Sequence, residues 1–124
     1  MFELKVLTHF AAAHQLKMVD RKCENLHGHN WKVEVCIRGP KLNNAGGLMD
    51  FGVVKKEVNH IMEQLDHRYL NELENFGDAF PPSSENLAYY IAEHLKAAFT
   101  SPDIWVYSVT TWESHNAAAT YFPE

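Results

Sequence analysis

Two runs in the N-terminal third of the chain alternate apolar and polar residues, and this period limits the fold more than any other feature. In FELKVLTHFAAAH (residues 2–14), a regular strand places one set of side chains on a common face: Phe2, Leu4, Val6, Thr8, Phe10, Ala12 and His14. In WKVEVCIR (residues 31–38), the corresponding set is Trp31, Val33, Val35 and Ile37. Both runs are therefore predicted to be β-strands with one buried face.

Two helices are predicted in the middle of the chain. Asp50 is a suitable N-cap for the first, which should run to about Leu65 because its apolar residues recur at helical spacing: Val54, Val58, Ile61 and Leu65. Ser83 or Ser84 can cap the second, whose buried positions are predicted to be Leu87, Ile91, Leu95 and Ala98.

The chain closes with two further β-rich runs, DIWVYSVTTWES and NAAATYFP, and the polar residues 114–116 between them predict a hairpin. With a short strand at LMDF (residues 48–51), the order is β, β, β, α, α, β, β. Paired strands and segregated helices predict an α+β fold, in which two helices pack on one face of a four-stranded antiparallel sheet. The other face carries Trp and Tyr side chains, so oligomerisation is the economical way to cover it.

Length and composition limit the class of protein. A chain of 124 residues, 46% hydrophobic and 22% charged, suits one core, so a single domain over residues 1–124 is predicted. The net charge of −5 includes no long basic run, which argues against nucleic acid, and no apolar run is long enough for a membrane. Cys23 and Cys36 are too few for a disulfide framework, which favours a cytoplasmic setting.

The motif CENLHGHN (residues 23–30) is the first candidate site. In an extended segment His27 and His29 point to the same side, and Gly28 between them lets the backbone bend. His14, at the end of the first strand, is the best placed third ligand. Three neutral imidazoles would leave one position of a zinc ion open, as in catalytic sites. Because an HxH pair is a weak signal, ordinary turn and strand-end histidines remain the alternative.

Cys23 has three interpretations that spacing does not separate. It could be a fourth ligand that closes a structural zinc site, or a small residue with no role in chemistry. If it lies close to the metal without binding it, its thiolate is favoured and it becomes a base or a nucleophile.

Two further features carry carboxylates. Asp66 and His67 stand together near the end of the first predicted helix, where the aspartate could orient the imidazole provided that the helix has already ended. The alternative is a histidine that interacts with the helix dipole. Glu113 ends a β-rich run, where it could be exposed to solvent or could accept two N–H bonds from an amino-pyrimidine.

Six segments, in this order, resemble the 6-pyruvoyltetrahydropterin synthase family over nearly all of the chain. They are FAAAH (residues 10–14), CENLHGH (23–29), GLMDF (47–51), LDHRYLN (65–71), PPSSENLA (81–88) and the last strand with Glu113. The resemblance implies the tunnelling fold, in which trimers stack into hexamers and active sites lie at subunit boundaries. It also implies that His14, His27 and His29 bind zinc.

The same resemblance implies roles for the remaining candidates. Cys23 would be the base that moves protons on the substrate side chain, with Asp66 and His67 as its relay. Glu113 would anchor the pterin ring of the substrate, 7,8-dihydroneopterin triphosphate.

The spacing CxxxHGH resembles the carboxy branch of the family, which makes 6-carboxy-5,6,7,8-tetrahydropterin for queuosine and releases acetaldehyde and triphosphate. A pyruvoyl synthase is the first alternative. Glu24 suggests a second alternative. Members of the family with Cys-Glu at this place look able to cleave the substrate side chain, which gives the hydroxymethyl pterin used for folate. SHNA after Glu113 departs from the turn of many relatives. A structural zinc-binding domain without catalysis is the alternative outside the enzymes.

Overall fold

A computed structural model describes residues 1–16 and 26–123. In these residues, six strands form one mixed sheet: β1 (Phe2–His14), β2 (His27–Gly39), β3 (Arg68–Tyr69), β4 (Thr100–Ser101), β5 (Ile104–Trp112) and β6 (Ala118–Tyr121). Two α-helices lie in the middle of the chain, α1 (Phe51–Leu65) and α2 (Ser84–Lys96), with one 3₁₀ turn (Leu70–Glu72) between them.

The predicted α+β class is confirmed, but the predicted number of strands is wrong. The four longer strands pair antiparallel in the order β1, β2, β5, β6. Two strands of two residues each are added to them: β3 runs parallel to β1, and β4 pairs with β5. A run of two residues is too short to show a period, so the sequence could not reveal either. The strand predicted at residues 48–51 is also wrong, because Asp50 caps α1 and Phe51 already belongs to it.

The alternation in the first two strands is confirmed by burial. On β1 the buried side chains are Val6, Phe10, Ala12 and His14, and on β2 the face with Trp31, Val33, Val35 and Ile37 is fully buried. Each such aliphatic or aromatic side chain contributes about 1.5–3 kcal/mol when buried. The predicted hairpin also forms, with Trp112 opposite Ala118.

Both predicted N-caps are present. The Asp50 carboxylate accepts a hydrogen bond from the Gly52 amide at 2.8 Å, and the Ser83 hydroxyl accepts one from the Asn86 amide at 3.1 Å. The predicted stripe of α1 is buried. On α2 one position differs: the helix ends at Lys96, so Ala98 lies beyond it and is exposed, and Phe99 is buried instead.

The helices cover one face of the sheet, and the opposite face carries apolar side chains that remain partly open to solvent. Leu7 is 53% exposed there, and Trp112 is half-buried. This is the arrangement from which subunit assembly was predicted. Neither α-helix in the described part of the chain has the length and apolar character needed to cross a membrane.

Candidate metal centre

Strand register brings the three predicted histidines together. In the β1–β2 ladder His14 lies directly opposite His27, and His29 lies opposite Ala12. Because side chains two residues apart share a face, all three imidazoles point to the side covered by the helices. The Nε2 atoms of His14 and His27 are 2.9 Å apart, and the ring centroids of His27 and His29 are 4.6 Å apart.

Glu113 lies among the same three rings. It directly follows β5, where Trp112 pairs with Lys32, so it enters the site at the level of Trp31. Its Oε1 is 2.8 Å from Nε2 of His29 and 3.2 Å from Nε2 of His14. The distance to Nε2 of His27 is 3.7 Å. One carboxylate oxygen therefore faces all three imidazole nitrogens.

His14 is held in one orientation. Its side chain is completely buried, and Nδ1 lies 2.8 Å from the carbonyl oxygen of Pro82. A carbonyl can only accept a hydrogen bond, so Nδ1 carries the proton and donates it, and in the neutral ring Nε2 then carries the lone pair. This backbone contact is the kind of support that fixes a metal-binding histidine.

The electrostatics at His29 favour a neutral ring. Burial lowers the pKa of His29, and the neighbouring His14 and His27 lower it further, while Glu113 acts in the opposite direction. Its Nε2 is buried and, among the residues that the structure describes, has no hydrogen-bond partner of acceptable geometry, although the Glu113 oxygen is near. A buried ring nitrogen of this kind needs a partner.

The inner wall of the site is apolar. The fully buried Trp31 ring packs edge-on against His14 and His29, with centroid distances of 5.2 and 5.3 Å. Low polarity on one side strengthens electrostatic interactions on the other.

The donor set fits a divalent metal. One ligand atom from each of His14, His27, His29 and Glu113 lies within 4.8 Å of all the others. Imidazole nitrogens with a carboxylate oxygen are ligands that zinc takes in proteins. The three rings converge on one carboxylate oxygen, which favours a metal site over three unrelated turn or strand-end histidines.

The Asp66–His67 pair forms at a helix end, as its prediction required. Helix α1 ends at Leu65, Asp66 is the C-cap, and Oδ2 of Asp66 is 2.9 Å from Nδ1 of His67. Oδ1 of Asp66 accepts a hydrogen bond from the Ala11 amide at 2.8 Å, and this bond is the main cause that lowers the pKa of Asp66. The catalytic role that the resemblance gave to the pair stays a prediction.

His67 is anchored to the sheet through its backbone, while its ring is open to solvent. Its amide donates to the Ala11 carbonyl at 2.6 Å, and its φ of 58° is left-handed. The side chain is 83% exposed and lines an open groove of about 520 Å³ beside the ends of β1 and β2. The groove and the metal centre share one boundary residue, His29.

Cys23 and Glu24 lie outside the described residues, so their predicted roles remain predictions. The chain is fixed just before that segment. The Gln15 amide donates to Oδ1 of Asn71 at 2.8 Å, and Nδ2 of Asn71 donates to the Gln15 carbonyl at 2.7 Å.

Sequence reasoning named all four residues that the structure brings together, but it assigned Glu113 to catalysis and to the substrate and not to the metal. The residues that hold the centre, Pro82 and Ser84, escaped notice as site residues. The hydroxyl of Ser84 donates to Oε2 of Glu113 at 3.5 Å. The sequence signal for these contacts was PPSS (residues 81–84). Its Pro82 carbonyl lies just before the N-cap of α2, and its Ser84 hydroxyl lies on the first residue of the helix.

Comparison with known proteins agrees with the fold. The sequence model of the 6-pyruvoyl tetrahydropterin synthase family matches residues 3–124. The chain is 34% identical to the 6-carboxy-5,6,7,8-tetrahydropterin synthase of Synechocystis, over 91% of this chain and 87% of the relative. It is 33% identical to the dihydroneopterin monophosphate aldolase of Pyrococcus furiosus, over 86% and 84%.

Among solved structures, the 6-pyruvoyl tetrahydropterin synthase of Caenorhabditis elegans superposes with a TM-score of 0.83. It is 29% identical, and the match covers 99% of this chain and 96% of that one. The chain therefore has the fold and the sequence pattern of the pterin synthases. It belongs to the 6-pyruvoyl tetrahydropterin synthase family.

Proposed function

We propose that the protein is a zinc-dependent 6-carboxy-5,6,7,8-tetrahydropterin synthase of queuosine biosynthesis. It would convert 7,8-dihydroneopterin triphosphate and one water to the carboxy pterin, acetaldehyde and triphosphate. The observation that carries the proposal is the convergence of His14, His27 and His29 in a cluster whose ligand atoms lie within 4.8 Å of one another. The Synechocystis relative with the carboxy activity in its name supports this branch.

His14, His27 and His29 would hold the metal, and each is prepared for it by its surroundings. Hydrogen bonding to Pro82 leaves the lone pair of His14 on Nε2 in the neutral ring, and burial lowers the pKa of His29, which favours its neutral form. Zinc at this place would supply positive charge that acidifies the substrate hydroxyls and stabilises enolate-like charge.

The remaining residues would act on the substrate directly. Glu113 would accept hydrogen bonds from the amino-pyrimidine edge of the pterin, and Cys23 would remove and return a carbon-bound proton. Asp66 and His67 would exchange that proton with the thiol. The 2.9 Å contact between Asp66 and His67 supports the relay, since an aspartate that accepts from Nδ1 fixes the tautomer of the ring.

The direct test is incubation of the zinc-loaded protein with 7,8-dihydroneopterin triphosphate, followed by separation of the pterin products. We expect 6-carboxytetrahydropterin, with acetaldehyde in equal amount. If the product is a pyruvoyl pterin and no acetaldehyde forms, the protein is a pyruvoyl synthase and not a carboxy synthase. Absence of turnover by zinc-loaded protein would reject the enzyme.

The substitution Cys23→Ala separates the enzyme from a structural zinc domain. If Cys23 is a base, the variant retains its zinc and loses turnover. If Cys23 is a zinc ligand, the variant loses zinc and stability together, because metal binding contributes to folding. Cys36→Ala is the matched control, since Cys36 is buried in the sheet away from the three histidines in sequence and register.

A second candidate activity is cleavage of the substrate side chain to the hydroxymethyl pterin. Two observations favour it: Glu24 follows Cys23, and the Pyrococcus furiosus relative is an aldolase for dihydroneopterin monophosphate. The substitution Glu24→Gln tests it in the same product assay. We expect hydroxymethyl pterin to disappear while the carboxy product remains, whereas an unchanged product ratio would remove Glu24 from the chemistry.

We also propose that the chain assembles as a homohexamer, with sites at the subunit boundaries. The half-exposed apolar face of the sheet supports assembly, because Leu7 and Trp112 are left partly open to water. Sedimentation at equilibrium tests it, and a monomer at micromolar concentration would contradict it.

A further inference from the structure

We infer, on the basis of the metal site proposed above, that Glu113 is a fourth protein ligand of the metal while no pterin is bound. Binding of the pterin would then take this carboxylate away from the metal. One residue would thereby close the metal centre in the free enzyme and open it when the substrate arrives.

The distances match the corners of one coordination sphere. Ligand atoms about 2.0–2.1 Å from a tetrahedral zinc lie about 3.3 Å from one another. Oε1 of Glu113 is 2.8, 3.2 and 3.7 Å from the Nε2 atoms of His29, His14 and His27. The Nε2 atoms of His14 and His27 are 2.9 Å apart. Oε1 therefore lies at the fourth corner of a site whose other corners are imidazoles.

Hydrogen bonds from neutral rings to the carboxylate do not account for this geometry. His14 donates from Nδ1 to Pro82, so in the neutral ring Nε2 turns a lone pair toward Glu113. Two lone-pair atoms 3.2 Å apart repel each other unless positive charge lies between them. At His29 the separation is 2.8 Å, yet Nε2 has no hydrogen-bond partner of acceptable geometry within residues 1–16 and 26–123. A cation between these atoms satisfies all of them.

The second oxygen of Glu113 is held apart from the cluster. Oε2 accepts from the hydroxyl of Ser84, the first residue of α2, at 3.5 Å. Ser84 is fixed in turn, because the Thr111 hydroxyl donates to its carbonyl at 2.6 Å. The carboxylate therefore presents one oxygen to the metal and the other to Ser84, which is the geometry of a monodentate ligand.

The two roles of Glu113 exclude each other. A carboxylate that accepts two parallel N–H bonds from an amino-pyrimidine turns both oxygens toward that ring, so Oε1 would turn away from the three imidazole nitrogens. Pterin binding would therefore vacate one coordination position, which the side chain of the same substrate can occupy. Without pterin, Glu113 would keep other ligands from the metal.

The test measures zinc affinity in the absence of any pterin, by competition with a chromophoric chelator. We expect Glu113→Gln to weaken zinc binding at least about tenfold relative to wild type. Cobalt(II) substitution should also give different visible absorption bands in the variant. Glu85→Gln is the matched control, because Glu85 is exposed in the first turn of α2 and its substitution changes the charge equally. Equal affinity and identical cobalt spectra for Glu113→Gln and wild type would overturn the inference.

A crystal structure of zinc-loaded wild-type protein without pterin gives the same answer if the variant fails to fold. We expect Oε1 of Glu113 about 2.0–2.2 Å from the ion. A water at that corner, with the carboxylate displaced, would overturn the inference. Neither measurement needs turnover, so a failed inference leaves the synthase activity standing. Zinc-loaded protein that shows the Glu113 ligand but no turnover would reject the activity alone.

Discussion

The metal centre and the Asp66–His67 pair both lie against the last residues of β1, yet they are built in opposite ways. His14 is completely buried in a regular strand, and a backbone carbonyl fixes its ring. His67 is 83% exposed and adopts a left-handed conformation just after a helix. The two histidines thus differ in burial, in backbone and in the group that orients the ring.

The difference indicates two kinds of chemistry. A metal ligand benefits from a dry, rigid setting that keeps the ring neutral and its lone pair aimed at one point. A group that exchanges protons needs access to its partner and an orienting carboxylate, which Asp66 provides. The following substitutions separate the two regions, beginning with the largest expected effect.

His14→Ala should abolish most zinc binding. The variant loses one imidazole, and we expect zinc affinity to fall by at least about 100-fold. The buried carbonyl of Pro82 also loses its donor, which should lower the free energy of unfolding of the metal-free protein by about 1–3 kcal/mol. Chelator competition and urea unfolding measure the two effects.

Asp66→Asn is the comparison variant, and it should keep full zinc affinity. A similar loss of zinc in both variants would contradict the separation of the two regions.

Removal of zinc should lower the melting temperature by several degrees. A ligand present at 100 times its dissociation constant stabilises the folded state by about 2.7 kcal/mol. Calorimetry with and without chelator measures the shift. We expect His67→Ala to show the same shift as wild type and His29→Ala to show almost none. A wild-type melting temperature that does not respond to chelator would mean that the site binds no zinc under those conditions.

Asp66→Asn should reduce the loss of stability in acid. The Ala11 amide, and then His67, lower the pKa of Asp66 in the folded protein. A carboxyl of this kind stabilises the fold at pH values above its unfolded pKa of about 3.9, and the contribution is lost as pH falls through the lower, folded pKa. Urea unfolding of the metal-free protein at about pH 6 and about pH 3 measures it. Equal acid losses in wild type and Asp66→Asn would show that this carboxylate is not linked to folding.

The smallest effect is expected at the left-handed backbone of His67. Glycine adopts a φ of 58° without steric penalty, whereas alanine does not. We therefore expect His67→Gly to be more stable than His67→Ala by about 1 kcal/mol. Urea unfolding of the two variants provides the measurement, and the reverse order would contradict the conformation described for this residue.

The faces of the first two strands were predictable because their period is local. Alternation alone put His14 with Phe10 and Trp31 with Val33, and the same rule put His27 and His29 on one side. The caps at Asp50 and Ser83 were predictable for the same reason, since each involves residues within three positions.

The position of Glu113 was not predictable, because it depends on pairing between strands far apart in sequence. Its level in the sheet follows from the register of β5 on β2, and that register shifts at an irregularity between Cys36 and Ile37. A shift of one residue would turn Glu113 to the opposite face. The contact from Pro82 to His14 likewise joins residues 68 positions apart through a backbone group, which leaves no side-chain signal.

The segment that leads into α2 contacts the metal centre twice, at Pro82 just before the N-cap and at Ser84, the first residue of the helix. These contacts reach two different members of the cluster, His14 and Glu113. The number of residues between Pro82 and Ser84 therefore helps to set the distance between the two side chains. Insertion or deletion of a single residue at Ser83 would misplace one contact while leaving every ligand in place. The spacing between Pro82 and Ser84 is thus a constraint on the metal centre in addition to the identity of the histidines.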